Sequence, residues 1–195
     1  MLARIAPLDA FQVKRMLELL NKGNNMTKDD LKNALLLDLK PLIEKNIGLT
    51  IFARNRSKFE GWLKVELVRA LAKYNARPEV EYIDVSGIYK SITWGVELKT
   101  INTNYIYTEE NVENIIRPIT RNIEGVIEDI KKLKLKTLDN KYIIFIAFPF
   151  SKDSIESKQW TSHIKKIEGY VSLEDRIEFL FNKSKIIGAI YWGKI

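Results

Sequence analysis

Two carboxylates and a lysine in the middle of the chain could together carry out metal-dependent chemistry. Glu97 and Lys99 belong to the stretch Ser91–Thr100, in which apolar and polar residues alternate. Alternation with a period of two predicts a β-strand, so both side chains lie on the same face of it. Asp84 precedes Glu97 by about the length of a strand, a turn and a returning strand. A hairpin would therefore bring the two carboxylates together.

Converging carboxylates are suited to a divalent metal ion. Mg²⁺ takes hard oxygen ligands, usually one or two from the protein, and completes its shell with water and substrate phosphate; Mn²⁺ is the alternative ion. A lysine two residues beyond Glu97 would hold the attacking water or offset negative charge on the phosphate. Asp84, Glu97 and Lys99 therefore predict a site that cleaves phosphodiester bonds.

An ordinary solvated strand is the competing interpretation of the same residues. Glutamate and lysine alternate with apolar residues on many surface strands, and a Glu-x-Lys triplet also arises by chance. Additional context is needed to favour a catalytic role.

The stretch Phe59–Tyr74 predicts an amphipathic helix with a carboxylate on its apolar side. On a helical wheel Glu66 falls inside the apolar sector, whereas Glu60 sits on the margin. Burial of a carboxylate is unfavourable unless it is paired or bound to a cation. Glu66 is therefore a functional candidate, and the alternative is a partly buried glutamate that meets an arginine. The apolar sector comprises Phe59, Leu63, Leu67, Ala70 and Tyr74.

The composition excludes several other kinds of site. The 195 residues include no cysteine and a single histidine, His163. Disulfides, thiolate zinc sites and multi-histidine metal sites are therefore excluded, and a Ser-His-Asp mechanism is disfavoured. No apolar run approaches the roughly 20 residues that span a bilayer, so we expect no membrane association and a cytoplasmic location.

The chain is basic, with a net charge of +7. A surplus of this sign favours a polyanionic partner. Most of the positive surplus lies in residues 1–58, with 11 Lys and Arg against 6 Asp and Glu, whereas residues 59–103 are balanced. This distribution is expected if flanking cations bind phosphates while carboxylates bind metal, and a lysine-rich solvated surface is the alternative. The candidate nucleic-acid contacts are Arg54, Arg56, Lys58, Lys131, Lys132, Lys134 and Lys136.

The remaining pattern predicts an α/β protein. Residues 1–50 read as helical, with one helix over Leu8–Leu20 and another capped by Thr27. These two helices could form a DNA-reading helix-turn-helix or could simply pack together. Strands are expected at Arg77–Val85, which would end in a Ser86-Gly87 turn, and at Tyr142–Phe148. The remaining expected elements are a helix along the apolar stripe of residues 119–133, helices at 155–167 and 173–181, and a strand at 185–192.

The order of these elements resembles the PD-(D/E)XK nuclease superfamily. The resemblance rests on a helix with Glu66, a strand with Asp84, a strand with Glu97-Leu98-Lys99, a long helix and a buried strand, and covers about residues 59–150. It implies the restriction-endonuclease-like fold, a three-layer α/β core with a central mixed sheet flanked by helices. On this basis residues 59–195 form the nuclease-like domain and residues 1–58 a helical extension. One departure is Ile83, where the family pattern has proline.

The resemblance also implies roles for individual residues. Asp84 and Glu97 would bind Mg²⁺ or Mn²⁺ together with the backbone carbonyl of Leu98. Lys99 would assist the water, and Glu66 would complete the site, directly or through a water molecule.

These features predict a Mg²⁺-dependent DNA endonuclease of restriction, repair or mobile-element type. A nuclease similar to Holliday-junction resolvases is an alternative within the same superfamily. The others are a non-catalytic nucleic-acid-binding module on the same fold and a protein-interaction subunit. DNA is the expected partner, and a homodimer remains open.

Overall fold

A seven-stranded mixed sheet forms the centre of the computed structural model, which describes residues 26–107, 112–114, 119–182 and 184–195. Its strand order is β1-β2-β3-β6-β9-β7, and β8 pairs with β9. β3 and β6 run parallel, whereas β2 and β3 form an antiparallel hairpin. The strands are β1 (Arg77–Val80), β2 (Ile83–Tyr89), β3 (Ile92–Asn102), β6 (Asn140–Phe150), β7 (Ser172–Leu173), β8 (Ile177–Leu180) and β9 (Ile187–Lys194), with β4 (Tyr105–Tyr107) and β5 (Val112–Asn114) as a separate pair.

Helices flank this sheet. The helix capped by Thr27 begins as expected, because the Thr27 hydroxyl accepts from Asp30 N while the Asp30 carboxylate accepts from Thr27 N. The helix predicted over Leu8–Leu20 lies outside the described residues. The helices are α1 (Lys28–Asn33), α2 (Lys40–Lys45), α3 (Ile47–Arg54), α4 (Glu60–Ala70), α5 (Thr120–Lys134) and α6 (Lys158–Glu168), with a π-helical segment at Ala34–Leu39 and 3₁₀ turns at Ala72–Tyr74 and Ser154–Glu156.

Strand β6 separates two hydrophobic cores. Ile144, Ile146 and Phe148 belong to the core on one face, which α1–α4 cover. Ile143 and Phe145 belong to the core on the other face, which α5 and α6 cover. Because both faces are covered, consecutive residues of β6 are buried, which explains its unbroken apolar sequence.

The hairpin that carries Asp84 and Glu97 turns at a different place from the one predicted. It turns at Lys90-Ser91, between β2 and β3, and Ser86-Gly87 lies inside β2. The stretch predicted as one strand, Arg77–Val85, contains a further turn at Glu81-Tyr82, between β1 and β2. Gly87 serves close packing, because a Cβ built there would lie 2.6 Å from Cζ2 of Trp94. The glycine therefore marks a close approach within the sheet instead of a turn.

The prediction of a helix at residues 173–181 is wrong. Strand β8 occupies residues 177–180 of this range and alternates buried Ile177 and Phe179 with exposed Glu178 and Leu180. This alternation has the period of a strand, which was hidden because the segment is too short to distinguish clearly from a helix.

The helices before residue 58 share a core with the sheet. Leu31, Leu35 and Ile43 are fully buried in the same hydrophobic cluster as Val96 and Ile144. The boundary between an extension and a nuclease-like domain stays a prediction. Within the described residues, no helix has both the length and the apolar character needed to cross a membrane.

Candidate active site

The hairpin of β2 and β3 brings Asp84 and Glu97 together. Val85 is paired with Val96, so the preceding residue of β2 and the following residue of β3 stand opposite each other. The Asp84 and Glu97 side chains share a hydrogen bond. Asp84 Oδ2 also accepts from the backbone N–H of Leu98 at 2.9 Å, which fixes the carboxylate against β3.

This pairing changes the acidity of Glu97. Burial, the hydrogen bond to Asp84 and the negative charges of Asp84 and Asp129 raise the pKa of Glu97 to about 8, although Lys99 opposes the increase. Two close carboxylates resist ionising together, because each negative charge disfavours the other. At neutral pH the pair therefore holds a proton in a position where another cation could replace it.

Lys99 is held by helix α5. Its Nζ lies 2.5 Å from Asp129 Oδ2, and both side chains are largely buried. Burial alone lowers the pKa of Lys99, but the hydrogen bond and charge of Asp129 raise the net pKa above its ordinary value. Gly125, one helical turn before Asp129, leaves room for the lysine: a Cβ built there would lie 3.4 Å from Lys99 Cε. The ammonium group is thus charged and positioned beside Glu97.

Helix α4 contributes Lys64 to the site. Its Nζ lies 2.9 Å from Asp84 Oδ1 and 2.7 Å from Glu79 Oε1. Burial disfavours the charged form, yet hydrogen bonds to Glu79 and Asp84 raise the net pKa of Lys64 above its ordinary value. An internal ammonium therefore neutralises part of the charge of Asp84.

Glu60, at the start of α4, lies one helical turn from Lys64. Its Oε1 accepts from Thr100 N at 2.8 Å and from Thr100 Oγ1 at 3.2 Å. Its charge also helps to raise the pKa of Lys99, which places it near the lysine. Asp84 and Glu60 thus bind successive N–H groups along one side of β3, at Leu98 and Thr100.

The structure presents Glu60 and Lys64 to the strands, whereas it places Glu66 elsewhere. Glu66 Oε2 accepts from Arg69 Nε at 2.8 Å, within the same helix. This is the arginine-paired arrangement that the sequence left open. The sequence signal for Glu60 and Lys64 was a glutamate at the margin of the apolar sector with a lysine four positions later, since side chains at this spacing share a helix face.

The two groups of candidate cations have different surroundings. Arg56 is structural, because its guanidinium donates to the carbonyls of Thr103 and Tyr105 at 2.7 and 3.3 Å. Arg54 and Lys58 are exposed. Their contact with nucleic acid stays a prediction.

The lysines at the end of α5 pack against neighbouring loops. Lys134 Nζ donates to the carbonyl of Tyr170, and Lys136 Nζ to that of Glu81, both at 2.7 Å. Lys131 Nζ lies 5.0 Å from the centroid of the Tyr170 ring, and Lys132 Nζ lies 3.6 Å from Asp129 Oδ1. Lys134 and Lys136 thus anchor the loops at Tyr170 and Glu81, whereas Lys132 pairs within its own helix. Contact of these lysines with nucleic acid stays a prediction.

Asp84, Glu97 and the carbonyl of Leu98 fit a hard divalent cation. In the described ranges no three side chains of His, Cys, Asp or Glu converge into a metal site. A pair of carboxylates with a shared proton is nevertheless the donor set that Mg²⁺ uses when water and phosphate supply the remaining ligands. The N–H and C=O of a strand residue point toward the same neighbour, so the Leu98 carbonyl faces the side of Asp84.

Comparisons with known proteins give no independent assignment. No protein-family model matches the chain, and no curated protein or solved structure matches it.

Proposed function

We propose that this protein is a Mg²⁺-dependent nuclease of the PD-(D/E)XK type that hydrolyses phosphodiester bonds in DNA. The observation that carries the proposal is the hydrogen-bonded pair of Asp84 and Glu97, with Lys99 held beside it. A half-buried carboxylate pair that retains a proton near neutral pH is unfavourable for folding alone and favourable for binding a cation.

The arrangement of elements supports the same proposal. Helix α4 precedes the antiparallel strands β1, β2 and β3, and α5 then leads to β6, which pairs parallel to β3. This is a mixed sheet flanked by helices, with the candidate residues on β2 and β3. Fold alone does not specify an activity, so the chemistry of the site has to carry the argument.

Each residue of the site has a distinct role in this proposal. Asp84, Glu97 and the Leu98 carbonyl would hold the metal ion, which polarises the phosphate and lowers the pKa of water when bound. Lys99 orients the attacking water and stabilises charge that develops on the phosphate. Glu60 and Asp84 hold β3 in place by accepting hydrogen bonds from the backbone N–H groups of Thr100 and Leu98. Water adds to phosphorus and loses one proton to solvent, the P–O ester bond breaks, and the departing oxygen takes up one proton from solvent.

A cleavage assay tests the proposal. Purified parent protein should cut plasmid DNA with MgCl₂ or MnCl₂ and not with EDTA. Asp84→Asn and Glu97→Gln, which keep size and remove charge, should abolish cutting. Glu66→Gln is the matched control, because Glu66 pairs with Arg69, and it should cut like the parent. Equal cutting by Asp84→Asn would reject the proposal and point to a contaminating nuclease.

A non-catalytic nucleic-acid-binding protein is the second candidate, favoured by the ion pair of Lys64 with Asp84. An ammonium group 2.9 Å from this carboxylate supplies a cation from within the protein. Titration of the parent with Mn²⁺ in a calorimeter separates the two candidates. DNA binding without metal binding or cleavage would support the second.

A further inference from the structure

The turn that precedes Asp84 exposes an aromatic ring. Glu81 and Tyr82 form the two-residue turn between β1 and β2, and both have positive φ, 52° and 64°. The side chain of Tyr82 is 97% exposed, whereas the next residue, Ile83, is 2% exposed. A large aromatic group is therefore displayed in water two residues before the carboxylate of the site.

Folding does not account for tyrosine at this position. Two-residue hairpin turns with positive φ at both positions favour asparagine, aspartate and glycine, because a bulky side chain is strained there. Because the Tyr82 ring is almost fully exposed, little free energy of burial offsets this backbone strain. The combination of unfavourable backbone and unburied ring points to a role in binding.

The turn is held in place by a cation. Lys136 Nζ donates to the carbonyl of Glu81 at 2.7 Å and lies 5.9 Å from the centroid of the Tyr82 ring. The connection after α5 thereby anchors the tip of the hairpin. An aromatic face beside an ammonium group is the combination that binds nucleotides, since the ring stacks on a base and the cation attracts the phosphate.

A cavity of about 290 Å³ lies beside this turn. Val80, Glu81 and Ile83 line it from the hairpin, and Thr137 and Leu138 line it from the connection that follows α5. Its wall, which also includes Asn75 and Arg77 but neither Tyr82 nor Lys136, combines apolar side chains with hydroxyl, amide and charged groups. Such a lining suits a planar base with polar edges.

We propose that Tyr82 and Lys136 form a contact site for a nucleotide whose base is unstacked, next to the carboxylate pair. The inference rests on the proposed function and narrows its substrate to nucleic acid with a single-stranded segment, such as a gap, flap or junction. A fully exposed ring can stack only on a base face that is itself accessible, and continuous duplex DNA hides those faces.

Binding measurements in EDTA test this inference without cleavage. The probes are a gapped duplex with 2-aminopurine in the gap and a continuous duplex of the same length. Tyr82→Ala should weaken binding to the gapped probe by about 5- to 150-fold, as expected for loss of one base–aromatic stack, and leave duplex binding unchanged. Tyr82→Phe should bind like the parent, because the ring is retained.

Two further variants separate recognition from folding. Tyr82→Asn suits the turn better, so it should raise the melting temperature while it weakens binding to the gapped probe. Tyr170→Ala is the matched control: this partly exposed tyrosine also lies near a lysine, but outside the hairpin. It should bind both probes like the parent.

The outcomes distinguish the inference from the proposed function. One outcome is that the parent cleaves DNA while both Tyr82→Ala and Tyr82→Asn bind the gapped probe as tightly as the parent does. That outcome overturns the inference about Tyr82 and leaves the proposed nuclease function standing. Equal weakening on gapped and continuous DNA also overturns it, since the contact would then not depend on an unstacked base. If the parent protein neither binds nor cleaves any probe, both the proposed nuclease function and the contact site at Tyr82 are rejected.

Discussion

Lys99 Nζ lies 2.5 Å from Asp129 Oδ2, so helix α5 positions the only lysine that strand β3 directs toward the carboxylate pair. The contact links the helix that crosses from β3 to β6 with the site on β3. It also keeps the ammonium group charged, because the pKa of Lys99 is raised despite burial. A charged lysine has no lone pair to bind a metal, so its role must differ from that of the carboxylates.

The first prediction separates Lys99 from Asp84 and Glu97. Lys99→Ala should bind Mn²⁺ and DNA about as well as the parent but cleave more slowly by about 10²–10³-fold, which is typical for loss of one group that stabilises transition-state charge. Lys99→Arg should recover little, because a planar guanidinium differs in shape from an ammonium group. Calorimetry and single-turnover cleavage measure the two effects. Full cleavage by Lys99→Ala would show that this lysine has no catalytic role and serves only its ion pair with Asp129.

The second prediction concerns Asp129 as a positioning residue. Asp129→Asn should slow cleavage while metal affinity is retained, because the ammonium group loses its anchor. If Asp129 acts through Lys99, the double variant Asp129→Asn/Lys99→Ala should be no slower than Lys99→Ala alone. Single-turnover rates for the four proteins of this cycle provide the test. Additive losses would indicate that Asp129 has an independent role.

The sequence predicted the carboxylate pair because local information determined it. Asp84 and Glu97 flank the apolar pair Val85 and Val96, whose burial sets the register of the hairpin. A change of register by one residue would turn the side chains of Val85 and Val96 away from the core. The relative positions of Asp84 and Glu97 therefore follow from alternation along two strands.

Contacts from other elements could not be predicted in the same way. Lys99 meets Asp129 because α5 crosses β3, and Glu60 meets Thr100 because α4 approaches the end of that strand. Glu66 looked more buried on the wheel, but Arg69 pairs with it. Which side of an amphipathic helix meets a sheet edge depends on tertiary packing, which a helical wheel does not contain.

The third prediction is a pH dependence of stability in metal-free protein. The pKa of Glu97 is raised from 4.5 to about 8 in the folded state, mainly by burial and then by Asp84. Between these values the folded protein binds a proton that the unfolded chain has released, so the free energy of unfolding should fall as pH rises. Urea unfolding from about pH 5 to pH 8 should show this decline for the parent.

Glu97→Gln provides the control for this profile. It mimics the protonated carboxyl and should remove the contribution of Glu97. The difference between the two proteins isolates that contribution from His163, whose pKa is lowered by burial and by Lys166 and which acts in the opposite direction. Excess Mg²⁺ should restore stability at high pH in the parent alone. If the parent and Glu97→Gln showed the same dependence of unfolding free energy on pH, the raised pKa of Glu97 would be contradicted.

The fourth prediction contrasts two cations that lie close together in the sequence. Lys58 is exposed, so Lys58→Ala should leave stability unchanged, weaken DNA binding and reduce the salt slope by about 1. Arg56 donates to the carbonyls of Thr103 and Tyr105, so Arg56→Ala should lower the melting temperature. Fluorescence anisotropy at several salt concentrations and thermal unfolding test both. An unchanged salt dependence of DNA binding in Lys58→Ala would show that Lys58 does not contact the DNA phosphates.

The last prediction concerns Lys64, whose ammonium group occupies the side of Asp84 that a metal ion would share. Lys64→Met retains the length and apolar stem of the side chain but removes its charge. Without Mn²⁺ this variant should be less stable than the parent, because Asp84 and Glu79 both lose a partner. With Mn²⁺ it should bind the ion more tightly, since the ammonium group of Lys64 no longer repels it, and the stability difference should narrow. Lys73→Met is the matched control: this lysine contacts the Tyr74 ring in the 3₁₀ turn after α4, so any loss of stability should be the same with and without Mn²⁺, and Mn²⁺ binding should be unchanged. Calorimetric titration and urea unfolding of the three proteins, each with and without Mn²⁺, measure these effects. Weaker Mn²⁺ binding by Lys64→Met would show that Lys64 organises the carboxylates for the metal and does not compete with it.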